Sequence, residues 1–202
     1  CHCLVGSEMC IRDRYKEIPN EVIDKLKLIF MDSLGLIFAS RNEDYIKAIK
    51  QSFTDSGNCT VPGHLEKLCP SDAIVLNGTA IHGEDFDDTF EGTPVHVGSV
   101  MCSSLLTAAE YYKLKPKEIL KGLAVGSELM CRLALVSPMA IHKQGFHPTA
   151  ILGAFGASIG ISKILNNSVL QTTSSLGIVG SMASGIIEYL AEGTWTKRLH
   201  PG

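Results

Sequence analysis

Apolar residues recur every three to four positions through most of the chain after Pro19, which is the spacing of one face of an α-helix. The first such run covers residues 22–37, and Asn20 is predicted to cap it. A second helix is predicted over residues 43–53, where the polar run 55–58 ends it. Residues 58–70, which contain two prolines and a glycine, predict a loop.

Five more helices are predicted by the same periodicity. Proline is favoured in the first turn of a helix, so Pro116 and Pro148 are each predicted to open one. Ser71 or Asp72 is the expected cap of one of the others, and Asn167 or Ser168 that of the last. The predicted spans are 71–86, 99–112, 116–133, 148–165 and 168–190.

Seven or eight helices with short connections and no clear strand predict an all-α fold, a multi-helix bundle. Gly153, Ala154, Ala157 and Gly160 are small residues within one predicted helix, so they predict a close approach of helix axes. Glycine costs about 1 kcal/mol relative to alanine inside a helix, so these positions need a packing reason.

Composition excludes several classes of protein. Hydrophobic residues make up 45% of the 202 residues and charged residues 19%, which is typical of a globular domain. The net charge is −3, and the densest group of lysines, over residues 113–121, is interpreted as a solvated helix face, so no nucleic-acid partner is expected. Residues 144–162 and 164–187 carry no charged side chain, but glycines and polar residues make them too polar to cross a membrane.

The seven cysteines are odd in number and their spacing matches no strong zinc motif. We interpret them as reduced thiols of a cytoplasmic protein. Residues 1–14 show no helical period, and residues 7–14 resemble translated sequencing-adapter read-through. We therefore expect a non-native or disordered leader over 1–14 and one helical domain over 15–202.

Ionisable residues concentrate at four places, of which the first is residues 77–89. On a continuous helix, His82, Asp85, Asp88 and Thr89 would share one side and Asp87 would point elsewhere. A carboxylate beside another carboxylate or an apolar wall has a raised pKa and can act as a base near neutral pH. The plain alternative is an acidic helix end that faces solvent.

The second and third places each put a histidine at a predicted helix start, where free amides and the helix dipole favour an anion. His96 precedes one helix, and His147 comes directly before Pro148. Each could instead be an ordinary loop histidine. The fourth place, residues 192–202, holds the only tryptophan together with Lys197, Arg198 and His200. Several positive donors in a small space suit a polycarboxylate, although an exposed basic turn would have the same composition.

Together, these motifs resemble the MmgE/PrpD family, in family order, over residues 17–202. The most specific pieces are Asp85-Phe86-Asp87-Asp88-Thr89 and the run from Thr196 to Gly202. The remaining pieces are Asn77-Gly78-Thr79-Ala80, His96 with Gly98, and Gly145-Phe146-His147-Pro148-Thr149.

The resemblance implies a cofactor-independent lyase that acts on a small di- or tricarboxylate without a metal. The first expectation is a hydro-lyase of the 2-methylcitrate dehydratase type, and cis-aconitate decarboxylase and iminodisuccinate epimerase are the alternatives within the family. It also implies a homodimer, and a smaller α+β domain that is absent from this sequence. The family uses a later histidine and tyrosine, so we expect a fragment truncated at its C-terminal end, whose activity alone is doubtful.

The resemblance also implies a set of site residues. Asp85 and His96 are the acid/base candidates, and His147 and Lys197 are assigned to carboxylate binding and charge stabilisation. The expected substrate-binding residues are Thr89, Arg198 and His200. Val97 stands where the family often has proline, a departure that affects the stiffness of the loop.

Two rival classes remain open. A metal hydrolase could use histidine and aspartate ligands, although their spacing matches no recognised metal motif. The candidate ligands are His82, Asp85, His96, His147 and His200. The other rival is an inactive helical scaffold or dimerisation fragment.

Overall fold

A computed structural model describes residues 18–202, so the predicted leader, residues 1–14, lies outside the described residues. The predicted all-α class is confirmed, with one short β-hairpin added. No helix within residues 18–202 is both long enough and apolar enough to cross a membrane. The elements in chain order are α1 (Asn20–Ser40), α2 (Asp44–Ser52), β1 (Ser56–Thr60), β2 (Lys67–Leu68), α3 (Pro70–His82), α4 (Val97–Tyr111), α5 (Pro116–Val136), α6 (Ala140–Lys143), α7 (Pro148–Ile164), α8 (Val169–Met182), α9 (Tyr189–Glu192) and α10 (Thr196–Leu199).

Local sequence determines several helix starts as predicted. Pro116 and Pro148 open α5 and α7. Ser168 caps α8 in a capping box: its hydroxyl accepts the Gln171 N–H at 3.3 Å, and the Gln171 side chain accepts the Ser168 N–H at 2.8 Å. The other predicted caps are wrong, because Asn20 is already helical and Pro70 opens α3 ahead of the expected caps at 71 and 72.

A β-hairpin replaces part of the loop predicted over residues 58–70. β1 pairs with β2 in antiparallel register with an irregularity between Ser56 and Cys59. The Glu110 carboxylate, on α4, accepts the Thr60 N–H at 2.6 Å, the Thr60 hydroxyl at 2.7 Å and the Lys67 ammonium at 3.1 Å. The hairpin is therefore held by a contact distant in sequence, which periodicity does not report.

Two predicted helices end earlier than expected. α3 stops at His82 rather than continuing to residue 86, and Asp85 adopts a positive φ of 57°, which turns the chain. α8 stops at Met182 rather than near residue 190, and the segment after it returns to pair with the loop before α7. Both early ends matter because they place functional side chains.

Helices α5 and α7 pack glycine against glycine. A Cβ added at Gly126 on α5 would lie 2.6 Å from the Gly156 carbonyl oxygen, and one added at Gly160 on α7 would lie 3.0 Å from the Gly122 carbonyl oxygen. On the other side, Gly153 faces Val100 of α4. The predicted packing role of Gly153 and Gly160 is confirmed, and the matching glycines on α5 were not foreseen.

Helix α4 runs through the core, with Met101 and Leu105 fully buried. It packs against α3, α5 and α7. The starts of α4 and α7 and the end of α3 consequently meet at one end of the bundle.

We expect Gly126→Ala to destabilise the fold by about 1–3 kcal/mol, because the new methyl group would overpack the α5–α7 contact. Gly177→Ala is the matched control: Gly177 is also helical, but an added Cβ would meet nothing within 4 Å. That change should be neutral or should stabilise by up to about 1 kcal/mol. Urea unfolding of both variants measures the difference, and equal free energies of unfolding would contradict the glycine contact.

Candidate active site

Three histidine rings meet where the end of α3 approaches the starts of α4 and α7. The ring centroids of His82 and His96 are 4.7 Å apart, and those of His82 and His147 are 5.5 Å apart. The His96 backbone N–H donates to the Thr149 hydroxyl at 3.1 Å, which joins the starts of α4 and α7. The helix ends therefore bring these three rings together. With His200, whose contact with His147 is described below, they form what we call the histidine cluster.

His96 and His147 each occupy the residue before a helix, as predicted. Both have extended backbones, with φ/ψ of −106°/105° at His96 and −81°/109° at His147. Pro148 accounts for the extended backbone of His147, because a proline disfavours the helical conformation at the residue before it. Its N–H also donates to the Gly185 carbonyl at 2.8 Å, so the segment after α8 fixes its backbone.

The anion expected at the start of α4 is supplied by the chain itself. The Asp88 carboxylate accepts the Gly98 N–H at 2.7 Å. Gly98 permits this approach, because a Cβ added there would collide with the Asp88 carboxylate and would lie 2.9 Å from the Ser33 hydroxyl. The amides beside His96 are thus partly satisfied by Asp88, which sits as a helix-capping group.

Asp87 lies at the centre of the site, and the prediction that it points elsewhere is wrong. The early end of α3 and the turn at Asp85 bring it inward, where it is only 5% exposed. Its Oδ2 lies 2.8 Å from Nδ1 of His82 in a hydrogen bond. Its Oδ1 lies 3.2 Å from Nδ1 of His96 in an ion-pair contact. Asp87 therefore bridges two histidines.

The predicted shared face of His82, Asp85, Asp88 and Thr89 is wrong for the same reason. His82 is buried, whereas Asp85 and Thr89 are exposed. Asp85 forms an ion pair with Lys197, which comes from the far end of the sequence. No hydrogen bond from the Thr89 side chain is present among the described residues, so its substrate-binding role stays a prediction.

The C-terminal segment, residues 193–202, is seated on α3 through a contact between backbones. A Cβ added at Gly78 would lie 2.8 Å from both Cα and N of Gly202 and 3.0 Å from the Pro201 carbonyl carbon. Two of the sequence motifs, around Asn77-Gly78 and around His200-Pro201-Gly202, are therefore two sides of one contact. It places His200 within the histidine cluster and Lys197 beside it.

His200 completes the cluster. Its Nδ1 lies 3.1 Å from Nδ1 of His147, so one ring donates a hydrogen bond and the other accepts it. The Tyr189 ring packs against both, with centroids 5.8 Å from His147 and 5.6 Å from His200. Sequence reasoning missed Tyr189 because the region was interpreted as part of a longer helix.

Arg198 faces a different neighbourhood. Its guanidinium carbon lies 4.3 Å from the centroid of the Tyr45 ring, and its Nη1 is 3.8 Å from the Glu84 carboxylate. The Trp195 ring also packs near Tyr45, at 6.3 Å between centroids. Arg198 thus helps to hold the C-terminal segment against α2, and its role in substrate binding stays a prediction.

The charges in the cluster are distributed unequally. Burial by itself would raise the pKa of Asp87, but the hydrogen bond to His82 and the contact with His96 hold the pKa below its ordinary value. Burial lowers the pKa of His96, yet the adjacent Asp87 carboxylate outweighs burial and raises the pKa overall. Asp87 is therefore ionised, and His96 favours its protonated form.

His147 has the opposite tendency. Burial, followed by repulsion from His82, His200 and Lys197, lowers its pKa to about 2, so the ring is neutral near pH 7. Burial also lowers the pKa of His200. The cluster thus combines one histidine that favours a charge with two that favour neutrality, which is the division that acid and base roles require.

A metal ion is the other chemistry that these residues could support. His82, Asp85, Asp87 and His96 each offer one ligand atom, and the four atoms lie within 4.8 Å of one another. Nε2 of His82 and Oδ1 of Asp87 are buried and have no hydrogen-bond partner among residues 18–202. The Lys197 ammonium, however, already pairs with Asp85 and would compete with a cation there.

Comparison with known proteins gives consistent results. A family model described as the MmgE/PrpD N-terminal domain matches residues 7–202. A cis-aconitate decarboxylase-like protein from Aspergillus oryzae is 30% identical over 196 residues, which is 91% of this chain and 40% of that protein. The cis-aconitate decarboxylases of mouse and human are each 31% identical, over 94% and 92% of this chain. The chain spans about 40% of the length of these relatives.

We expect Gly78→Ala to displace the C-terminal segment, because its methyl group would occupy the space of the Gly202 backbone. Trp195 is the only tryptophan and lies in this segment, so its fluorescence reports the displacement directly. A red-shifted emission is the expected result. Gly35→Ala serves as the control, since an added Cβ there meets nothing within 4 Å. Unchanged emission from the Gly78 variant would show that the contact does not seat the segment.

Proposed function

The chain belongs to the MmgE/PrpD family, and on this premise we propose that it forms the N-terminal helical part of a lyase that acts on a small di- or tricarboxylate. The observation that carries the proposal is the convergence of Lys197, paired with Asp85, on the cluster that contains His96 and His147. These four residues come from three stretches of the sequence, 85–96, 147 and 197, each about 50 residues from the next. An inactive scaffold has no need to bring them together.

The chemistry of such a lyase requires two functions from the site. Dehydration begins with removal of a proton beside a carboxylate, and decarboxylation leaves an electron pair that a proton must neutralise. Both therefore need a placed proton-transfer group and positive donors around the remaining carboxylates. His96 supplies the first function, with a ring that favours the protonated form and is 14% exposed in its side chain.

Lys197 supplies the positive charge. Its side chain is 25% exposed, and its ammonium group is held at the edge of the cluster by Asp85. A substrate carboxylate would exchange with Asp85 as the partner of this ammonium. Neutral His147 and His200 then provide hydrogen bonds rather than charge, so of the two roles expected of His147 we retain carboxylate binding.

Among reactions, we propose decarboxylation of a cis-aconitate-like substrate first. The names of the relatives favour it over the initially expected dehydration of 2-methylcitrate. Dehydration and epimerisation remain alternatives, because all three reactions need a placed proton-transfer group. A substrate panel decides: cis-aconitate, 2-methylcitrate, citrate and iminodisuccinate, with carbon dioxide release, alkene formation and change of optical rotation as readouts. The panel is best run on a polypeptide of the relatives' full length.

A metal hydrolase is the second candidate, because four potential ligand atoms lie within 4.8 Å of one another. Elemental analysis of purified protein separates the two candidates. Stoichiometric zinc or iron that survives dialysis would favour the hydrolase. A metal-free protein that binds tricarboxylates would favour the lyase.

We expect Lys197→Ala to weaken the binding of cis-aconitate at least about tenfold, because a hydrogen bond to a charged group is worth about 1.5–3 kcal/mol. Isothermal titration calorimetry measures the change. Lys47→Ala is the control, since Lys47 is exposed and pairs only locally with Asp44. No binding by the parent protein would favour the scaffold interpretation, and equal affinities for both variants would remove Lys197 from the substrate site.

We expect His96→Ala to lower turnover at least about 100-fold, since general acid–base catalysis contributes about that much or more. Steady-state kinetics with the best substrate of the panel provides the measurement. Circular dichroism of the same sample controls for folding. Near-unchanged turnover in a folded variant would exclude His96 from proton transfer.

A further inference from the structure

We propose that Asp87 is a positioning residue of this site: its buried carboxylate holds Nδ1 of both His82 and His96, and so directs Nε2 of His96 to the proton-transfer step. The inference rests on the proposed function, in which His96 moves a proton. It adds a residue whose side-chain partners, among the described residues, are two imidazoles.

Geometry supplies the first argument. The two oxygens of Asp87 are divided between the two rings, Oδ2 to His82 at 2.8 Å and Oδ1 to His96 at 3.2 Å. The contact between Nδ1 of His96 and Oδ1 of Asp87 is not aligned as a hydrogen bond. Both atoms are buried and have no other partner among the described residues. A buried polar atom without a partner costs about 1–3 kcal/mol, so these two atoms are each other's best partner after a small rotation of the ring.

The second argument concerns tautomers. An ionised carboxylate can accept hydrogen bonds but cannot donate one, so Nδ1 of each ring must carry the hydrogen. Nε2 of each ring is then the nitrogen that points away from Asp87. The tautomer of His96 is thus determined by Asp87, just as a carboxylate determines the tautomer of a catalytic histidine elsewhere.

Burial distinguishes the two histidines. The side chain of His82 is fully buried. Its Nε2 is not accessible to solvent and has no hydrogen-bond partner among the described residues. The side chain of His96 is 14% exposed, and the ring stands next to Lys197 and Asp85. His82 is therefore the fixed support of the bridge, and His96 is the ring that can exchange a proton with a ligand.

Several charged groups face His96, and they act in opposite directions. Asp87 and Asp85 favour its protonated form, whereas the Lys197 ammonium opposes it. Asp88, at the start of α4, is also near enough to interact with His96. The neutral ring of His147 lies 5.5 Å from that of His82, and the neutral ring of His200 lies 5.3 Å from that of His147, between centroids. Asp87 is the carboxylate in contact with the ring, so its removal should have the largest effect.

The test is Asp87→Asn in the full protein, with the imidazole nitrogens followed by NMR of ¹⁵N-histidine-labelled material and His96 assigned through a His96→Gln spectrum. Loss of the charge should lower the pH midpoint of His96 titration by at least about one pH unit. The limb of the pH–rate profile that His96 controls should move by the same amount. Turnover should fall more than KM rises.

Asp88→Asn is the matched control, because it removes the same charge one residue away and its amide oxygen can still accept the Gly98 N–H. Its effect on the His96 midpoint should be less than half as large. Equal shifts in the two variants would mean that general charge, not the bridge, controls His96, and would overturn the proposal.

A measurement on the unaltered protein keeps the proposal testable if the Asp87 variant does not fold. At neutral pH, Nδ1 of both His82 and His96 should carry a hydrogen. A neutral His96 with its hydrogen on Nε2 would overturn the positioning role. If instead the tautomers are as expected but His96→Ala retains full turnover, the bridge stands and the proposed role of His96 in the reaction fails.

Discussion

Where the C-terminal segment crosses α3, the backbone of Gly202 lies against Gly78 with no room for a side chain between them. This contact brings the end of the described chain against α3. Lys197 reaches Asp85 and His200 reaches His147 only because the segment is seated so closely. The site is thus assembled from distant parts of the sequence by close backbone packing together with the polar contacts of the C-terminal segment.

The polar surroundings then give chemically identical imidazole side chains different protonation preferences. Four imidazoles lie within one cluster, yet only His96 contacts the buried Asp87 carboxylate while keeping some exposure. His147 lies deeper, next to rings and a lysine, and remains neutral. Differences in burial and in one neighbouring carboxylate are sufficient to separate an acid from a hydrogen-bond donor, because each changes which protonation state is favoured.

The sequence predicts those features that depend on neighbouring residues. Pro116 and Pro148 define helix starts through their own backbone, and the motifs identify His96, His147 and Lys197 as candidates. Asp87 was misplaced because helical periodicity was extended past His82, and periodicity contains no signal for the turn at Asp85. The hairpin was missed because Glu110 holds it from fifty residues away. Elements stabilised by tertiary contacts lie beyond what local pattern can report.

The backbones of His96 and His147 are held by bonds to Thr149 and to the Gly185 carbonyl. The second of these involves main-chain atoms alone, although it depends on Gly185, where an added Cβ would lie 2.8 Å from the Ala150 Cβ. The side chains of Phe86 and Ile186 are exposed and take no part in either bond. A scaffold of this kind can accept new side chains at its surface while the backbones of both imidazoles keep their positions.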